Sequence, residues 1–386
     1  MEALIDHINK KEEEMLALLE KLVNIDCGTY IKSGVDQVGD ILSEKLASLG
    51  FSVERSSQEQ YGDHVVGHKA GTGKDRILFV GHMDTVFPEG TAQKRPFRIE
   101  GGRAYGPGVS DMKGGIVCLL YALEALKEET PDIFDRIEMD VVFNSDEEVL
   151  SPTSRPIIED LAKKAQTACV FEPARQGGEY VIQRKGVGKY IMKISGRAAH
   201  AGSQPEQGRS AVGALAHKIV ALHELTDLSE GTTVNVGLIK GGERSNVVAE
   251  SAYAEIDVRV PDTAAGERLY RNIEAIARKT HVPDTTCEVT GGIMFPPMVQ
   301  TPQSKLLFEA VQEAGRRLGL ELSGIATGGG SDGNHTAQFT PTLDGMGPRG
   351  TGGHSDREFM EVATLTQRSQ VTALFLAKWP GMIATL

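Results

Sequence analysis

Four cysteines in 386 residues, Cys27, Cys118, Cys169 and Cys287, are few, far apart and never in a Cys-x-x-Cys pair, so no disulfide framework is expected. Three of them lie in apolar or strand-like stretches, where cysteine acts as a small hydrophobe, and a reducing compartment fits. Long hydrophobic runs are missing too. No segment approaches the roughly 18 apolar residues that span a bilayer. Residues 1–25 set Leu4, Ile8, Met15, Leu19 and Leu22 among many charges and read as one amphipathic helix, not an export signal. A cytoplasmic protein with no membrane partner is expected. There is no basic surplus: the formal net charge of -12 argues against nucleic acid as a partner, because phosphate contacts need a basic surface. Like-charge tails, internal repeats and low-complexity stretches are also lacking.

What remains is an ordinary globular composition, 40% hydrophobic and 24% charged. The chain is longer than one core usually supports, so two domains are expected. Its first half alternates strands and helices. Apolar runs at 76–80, 139–143 and 168–171 read as buried strands, and residues 115–127 repeat Ile116, Leu119, Leu120, Leu123 and Leu126 at helical spacing. Residues 186–290 change rhythm and read β-α-β-β-α-β, the ferredoxin-like pattern. The expected architecture is a discontinuous α/β domain, 1–185 and 291–386, carrying 186–290 as an insertion.

Five short motifs carry metal-binding chemistry: Gly81-His82-Met83-Asp84-Thr85, Ser110-Asp111-Met112-Lys113-Gly114-Gly115, Asp146-Glu147-Glu148, Phe171-Glu172-Pro173 and Gly352-Gly353-His354-Ser355. Taken singly each is weak; a lone histidine is more often a surface or core residue, and Glu147-Glu148 resembles any solvated acidic face. Together they supply two imidazoles, three carboxylates and a spare glutamate, more than one tetrahedral zinc can use. Several follow the C-terminal ends of predicted strands, where open α/β sheets place their ligands. His335 is not read as a ligand, and Gly328-Gly329-Gly330 lacks the Lys-Ser/Thr of a phosphate loop.

This arrangement resembles the co-catalytic zinc hydrolases that include glutamate carboxypeptidase, acetylornithine deacetylase, succinyl-diaminopimelate desuccinylase and the aminoacylases, and most of all the folate-hydrolysing glutamate carboxypeptidases. Ser195 to Gly202 and Ser245-Asn246-Val247-Val248 match that family's inserted domain, so the resemblance covers essentially the full length. It implies a mixed-sheet zinc-hydrolase domain with an inserted dimerisation domain and a homodimer. Two zinc ions per subunit are implied, with cobalt or manganese as alternatives. His82, Asp111 and Glu172 would hold one ion, and Asp111, Glu148 and His354 the other, with Asp111 bridging. Asp84 would hydrogen-bond the second nitrogen of His82, and Glu147 would be the general base.

The resemblance also implies that His200 donates to the oxyanion in the partner subunit, with Asn246 near the same point. Arg259 would grip the substrate's free carboxylate, Lys185 would face an acidic side chain, and Gly330 would belong to backbone that closes on the substrate. The implied substrate is a small acyl-amino acid or peptide, cleaved at the amide bond of its C-terminal residue, with glutamate a candidate. An N-acyl amino acid deacylase or desuccinylase uses the same site; a catalytically silent binding protein on this fold would not need Glu147 and all five ligands. Two segments depart from the family pattern. Val149-Leu150-Ser151 stands where many relatives have glycine before the serine, and Ser331-Asp332-Gly333-Asn334 differs from the usual loop.

Overall fold

The central strand of the first sheet, Arg76–His82, is buried along almost its whole length, which is why its sequence is a continuous apolar run. The computed structural model describes residues 1–73 and 75–382. Parallel neighbours of this strand are Glu138–Asn144 and Thr167–Val170, and Thr342–Leu343 extends the parallel part. His64–Lys69 and Ser52–Ser56 complete the other side in antiparallel register, so the sheet is mixed. His82 pairs with Asn144 and Val80 with Val170, so three strands finish at one edge. Residues just beyond them are delivered to a common crevice.

The helix Gly114–Glu129 is buried on nearly all sides and packs against the C-terminal helix Val362–Met382. Its start lies so close to the sheet that a Cβ on Gly115 would stand 1.8 Å from the Phe171 carbonyl oxygen. Only glycine allows the Asp111 turn and the Glu172 strand to approach in this way. The expected single helix over 1–25 is instead two, Glu2–Lys10 and Glu12–Val23, broken at Lys11. The break lets Leu4 and Ile8 as well as Met15, Leu19 and Leu22 face the core, while Lys11 pairs with Glu14 and Glu124.

The chain divides into two compact units: Met1–Gln183 with Gln300–Ala326 and Ser331–Leu386, and Arg184–Val299 with Thr327–Gly330. In the second unit, Gly186–Ser195, Ala211–His223, Thr233–Gly241, Ser251–Val260, Thr263–Arg278 and Thr286–Phe295 follow one another as β-α-β-β-α-β. Its antiparallel sheet has the order Thr233–Gly241, Ser251–Val260, Gly186–Ser195, Thr286–Phe295. Ala252, Ala254, Ile256, Val258 and Val260 alternate inward to a separate core. Ser210 and Asp262 cap its helices through Gly213 N–H and Ala265 N–H. The expected boundary at 290/291 falls inside the last strand. Pairing with Gly186–Ser195 carries that strand through Gly291-Gly292 to Phe295. All four cysteines are free thiols. Among the described residues no helix is long and apolar enough to cross a membrane.

Candidate active site

His82 closes its strand with its side chain buried, and its Nε2 lies 3.2 Å from Asp111 Oδ1 and 3.6 Å from Glu172 Oε1. On the other side of the same carboxylate, His354 Nε2 lies 3.4 Å from Asp111 Oδ2 and 3.0 Å from Glu148 Oε2. Each oxygen of Asp111 therefore faces one imidazole, and each imidazole in turn meets one glutamate. His354 holds its place with φ +62°, a left-handed conformation uncommon outside glycine. Such strain is kept where the surroundings over-determine it. Glu147 is buried beside them and groups with His82 and Glu172, their potential ligand atoms all within 4.8 Å of one another.

The loop bearing Glu147 and Glu148 is set by Asp84. The Asp84 carboxylate accepts the backbone N–H groups of Glu147 and Glu148, each at 3.3 Å, and the Thr29 hydroxyl at 2.7 Å. This alters the expected partner of His82. Nδ1 sits 2.9 Å from the backbone carbonyl of Asp84, with the carboxylate further off at 3.5 Å, because that carboxylate is already turned toward the loop. With Nδ1 donating to the carbonyl, Nε2 is the nitrogen aimed at the cluster.

Proton affinities show how tightly these groups are forced together. Burial raises Glu147 well above the usual carboxylate range; His82 opposes this and Glu172 and Glu148 add to it. Burial likewise raises Glu148, against its hydrogen bond with His354. His354 is pushed up to about 10 by its bonds to Asp111 and Glu148. Burial disfavours charge on His82, yet bonds to Asp111 and Asp84 outweigh it and the imidazole is raised. Burial also works against the Asp111 carboxylate, which its bonds to His354 and His82 hold far below the usual range. Two imidazoles that hold protons because carboxylates surround them form a site in which cations can replace those protons. The spacing fits: tetrahedral ligands about 2.0–2.1 Å from a shared zinc stand roughly 3.3 Å from one another, and the four contacts above span 3.0–3.6 Å.

Other supporting residues carry no sequence signal of their own. Glu358 is a buried carboxylate that accepts three backbone N–H groups of the Asp111 turn. Asp332 accepts Ser151 Oγ at 2.6 Å and Asn144 Nδ2 at 2.5 Å, gripping the Glu147-Glu148 loop at both ends. The two segments that depart from the family pattern thus touch each other. Leu150, in place of the glycine, takes φ +76°, which explains why glycine suits that position.

The remaining predicted residues lie in the second unit. His200 is exposed and its Nδ1 accepts N–H from Gly202 and Ser203, both at 3.1 Å, which places the ring proton on Nε2. Val248 N–H bonds the Ala199 carbonyl and Ala201 N–H the Asn246 carbonyl, so the His200 and Asn246 segments run side by side. Arg259 is less free than expected: Asp257 takes Nε at 3.0 Å and Nη2 at 2.9 Å, and Nη1 points to the Gly328 carbonyl at 3.5 Å. The cause is the strand period, which puts residues two apart on one face. Lys185 donates its backbone N–H to the Thr327 carbonyl, and its Nζ would stand 3.4 Å from a Cβ on Gly231. Gly330 packs so tightly that a Cβ would meet Phe295 at 2.3 Å. Arg184, absent from the sequence reading, is 1% exposed and donates to the Gly329 and Gly330 carbonyls at 3.0 and 3.2 Å. His335 is buried and has its proton affinity lowered to about 3, first by burial and then by Arg155; it stays outside the cluster.

A cluster of imidazoles and carboxylates at the strand ends of a mixed sheet is the kind of site that can hold divalent cations. The chain belongs to peptidase family M20/M25/M40, whose sequence profile matches residues 78–378. It is 34% identical to carboxypeptidase G2 of Pseudomonas sp. (strain RS-16) over 94% of this chain and 88% of that one. It is 30% identical to succinyl-diaminopimelate desuccinylase of Acidovorax ebreus, covering 80% and 84%. A tripeptidase from Staphylococcus aureus shares the fold at TM-score 0.75 and 25% identity, over 95% of this chain and 99% of that one. The protein is accordingly a metallopeptidase or amidohydrolase of this family.

Proposed function

We propose that the protein removes a C-terminal amino acid from a small N-acyl or peptidyl substrate, using two zinc ions. The observation that carries this reading is the division of the Asp111 carboxylate between two imidazole–glutamate pairs. His82, Asp111 and Glu172 would hold one ion, Asp111, Glu148 and His354 the other. When bound, the ions supply acidification of water and polarisation of the scissile carbonyl. Glu147, buried beside His82 and Glu172, takes the proton from water and hands it to the leaving amine. His200, with its proton on Nε2, donates to the oxyanion.

Arg259 holds the α-carboxylate of the released residue, using Nη1 or exchanging Asp257 for the substrate. Lys185 faces an acidic side chain of that residue, and Gly330 closes over it. The second unit, with its ferredoxin-like order, is the dimerisation domain. Support comes from Val220, Leu238 and Ile239, apolar yet exposed on one helix and on a sheet-edge strand. Desuccinylase and deacetylase relatives support the same bond class with other acyl groups. Assaying N-acyl glutamates against their α-amides tests the reading. Losing the contact with Arg259 should slow the amides by about 30-fold to several thousandfold; equal rates would leave a general amidohydrolase. Lys185→Ala should then erase a preference for glutamate over leucine.

A further inference from the structure

Glu358 is 1% exposed, and among the described residues its carboxylate is met by three backbone N–H groups. Oε2 accepts from Gly108 at 2.9 Å, and Oε1 from Ser110 at 2.9 Å and Asp111 at 3.0 Å. The local backbone explains why these donors need it. Asp111 (φ -113°, ψ 92°) and Met112 (φ -130°, ψ 32°) are not helical, and the regular helix starts only at Gly114. Ser110 and Asp111 therefore lack the carbonyl partners a regular helix would offer, and a buried donor left unpaired is destabilising. Turned inward together, the three N–H groups form a nest that suits an anion.

The carboxylate that fills the nest comes from a fixed place. Glu358 directly precedes the strand Phe359–Glu361, which pairs with Arg103–Tyr105 on one side and with Gly350–Thr351 on the other. That second pairing clamps both feet of the loop carrying His354. One carboxylate thus joins the loop of His354 to the turn of Asp111.

We infer that Glu358 is a positioning residue for the metal pair, holding the Asp111 carboxylate so that its two oxygens face His82 and His354 before any cation arrives. This rests on the two-metal reading above. Glu358→Gln keeps the shape but removes the charge that strengthens all three bonds and turns an N–H₂ toward a backbone donor. The test is zinc titration of metal-stripped protein in competition with a chromophoric chelator, alongside thermal unfolding of the stripped protein. Wild type should take up zinc, and Glu358→Gln should bind it about 10- to 100-fold more weakly with an unchanged circular dichroism spectrum. Wild-type zinc affinity in Glu358→Gln, with or without a lower melting temperature, would make Glu358 a structural buttress and overturn the inference. If Glu358→Gln does not fold, Glu358→Asp, charged but shorter, takes its place with the same readout. Failure of the wild type itself to bind zinc overturns the two-metal reading and this inference together.

Discussion

The two units hold most of their candidate residues in different ways. In the first, His82, Glu147 and Glu172 are buried and His354 alone of the cluster is exposed. Asp84 and Asp332 tie down the Glu147-Glu148 loop, and Glu358 the Asp111 turn. In the second, His200 and Asn246 are exposed, and backbone contacts or a neighbouring charge orient the side chains. On the proposed function, the contrast follows from what each would do. Groups that bind cations and move protons must be placed before substrate arrives, and burial makes their electrostatics strong. On that same reading, groups that meet the substrate, His200 and Arg259, would stay hydrated until it displaces water.

Substitutions can break that comparison. The largest effect is expected from Glu147→Gln, which should retain both metals and lose about 10²- to 10⁴-fold in turnover. Because Glu147 also groups with His82 and Glu172, the informative readout is metal content; metal lost in step with activity would make Glu147 a ligand. His200→Ala should cost roughly 10²- to 10³-fold, the usual worth of one oxyanion donor. If the donor acts across a dimer, mixing His200→Ala with Glu147→Gln restores partial activity, since one hybrid site has both groups intact. No recovery would place His200 in its own subunit's reaction.

Asp332 sharpens the comparison through pH. Burial raises its carboxyl from 3.8 to about 7, so the folded state holds this proton more tightly than the unfolded chain. The contribution is complete below pH 3.8 and is lost as pH rises through 7. Asp332→Asn should flatten that loss in denaturant unfolding of the metal-stripped protein, an effect on the order of 2–4 kcal/mol. A parallel pH profile in the variant would show that other groups set the slope. The smallest effect belongs to Leu150→Gly. Removing a side chain from φ +76° relieves about 1–2 kcal/mol of strain, offset by about 0.4–1 kcal/mol of unfolded-chain entropy. The net change should be neutral to mildly stabilising; a clear loss would mean that the leucine's packing outweighs its backbone.

The same contrast decides what could be read from sequence. His82, Asp111, Glu148, Glu172 and His354 announce themselves because strand ends and glycine-flanked turns are visible as patterns, and the structure brings all five together. Glu358 carries no signal, and Asp332 shows only as part of a loop that departs from the family pattern, with no role legible. Each acts on backbone or side-chain donors far away in sequence, and a lone acidic residue in a loop has no period. The break at Lys11 has no sequence signal because the apolar spacing continues across it. The Arg259–Asp257 pair was legible in principle, since a strand puts i and i+2 on one face. The expected boundary at 290/291 misjudged the last strand because Gly291-Gly292 looks like a terminator, while cross-strand pairing carries the strand past it.

The central claim is that the Asp111 cluster is a two-cation site. Metal analysis of protein purified with zinc and freed of loosely held ions tests it most directly. The account predicts about two zinc ions per chain, with His354→Ala losing one and retaining the other more weakly. A wild-type content near zero under zinc-replete conditions would contradict it.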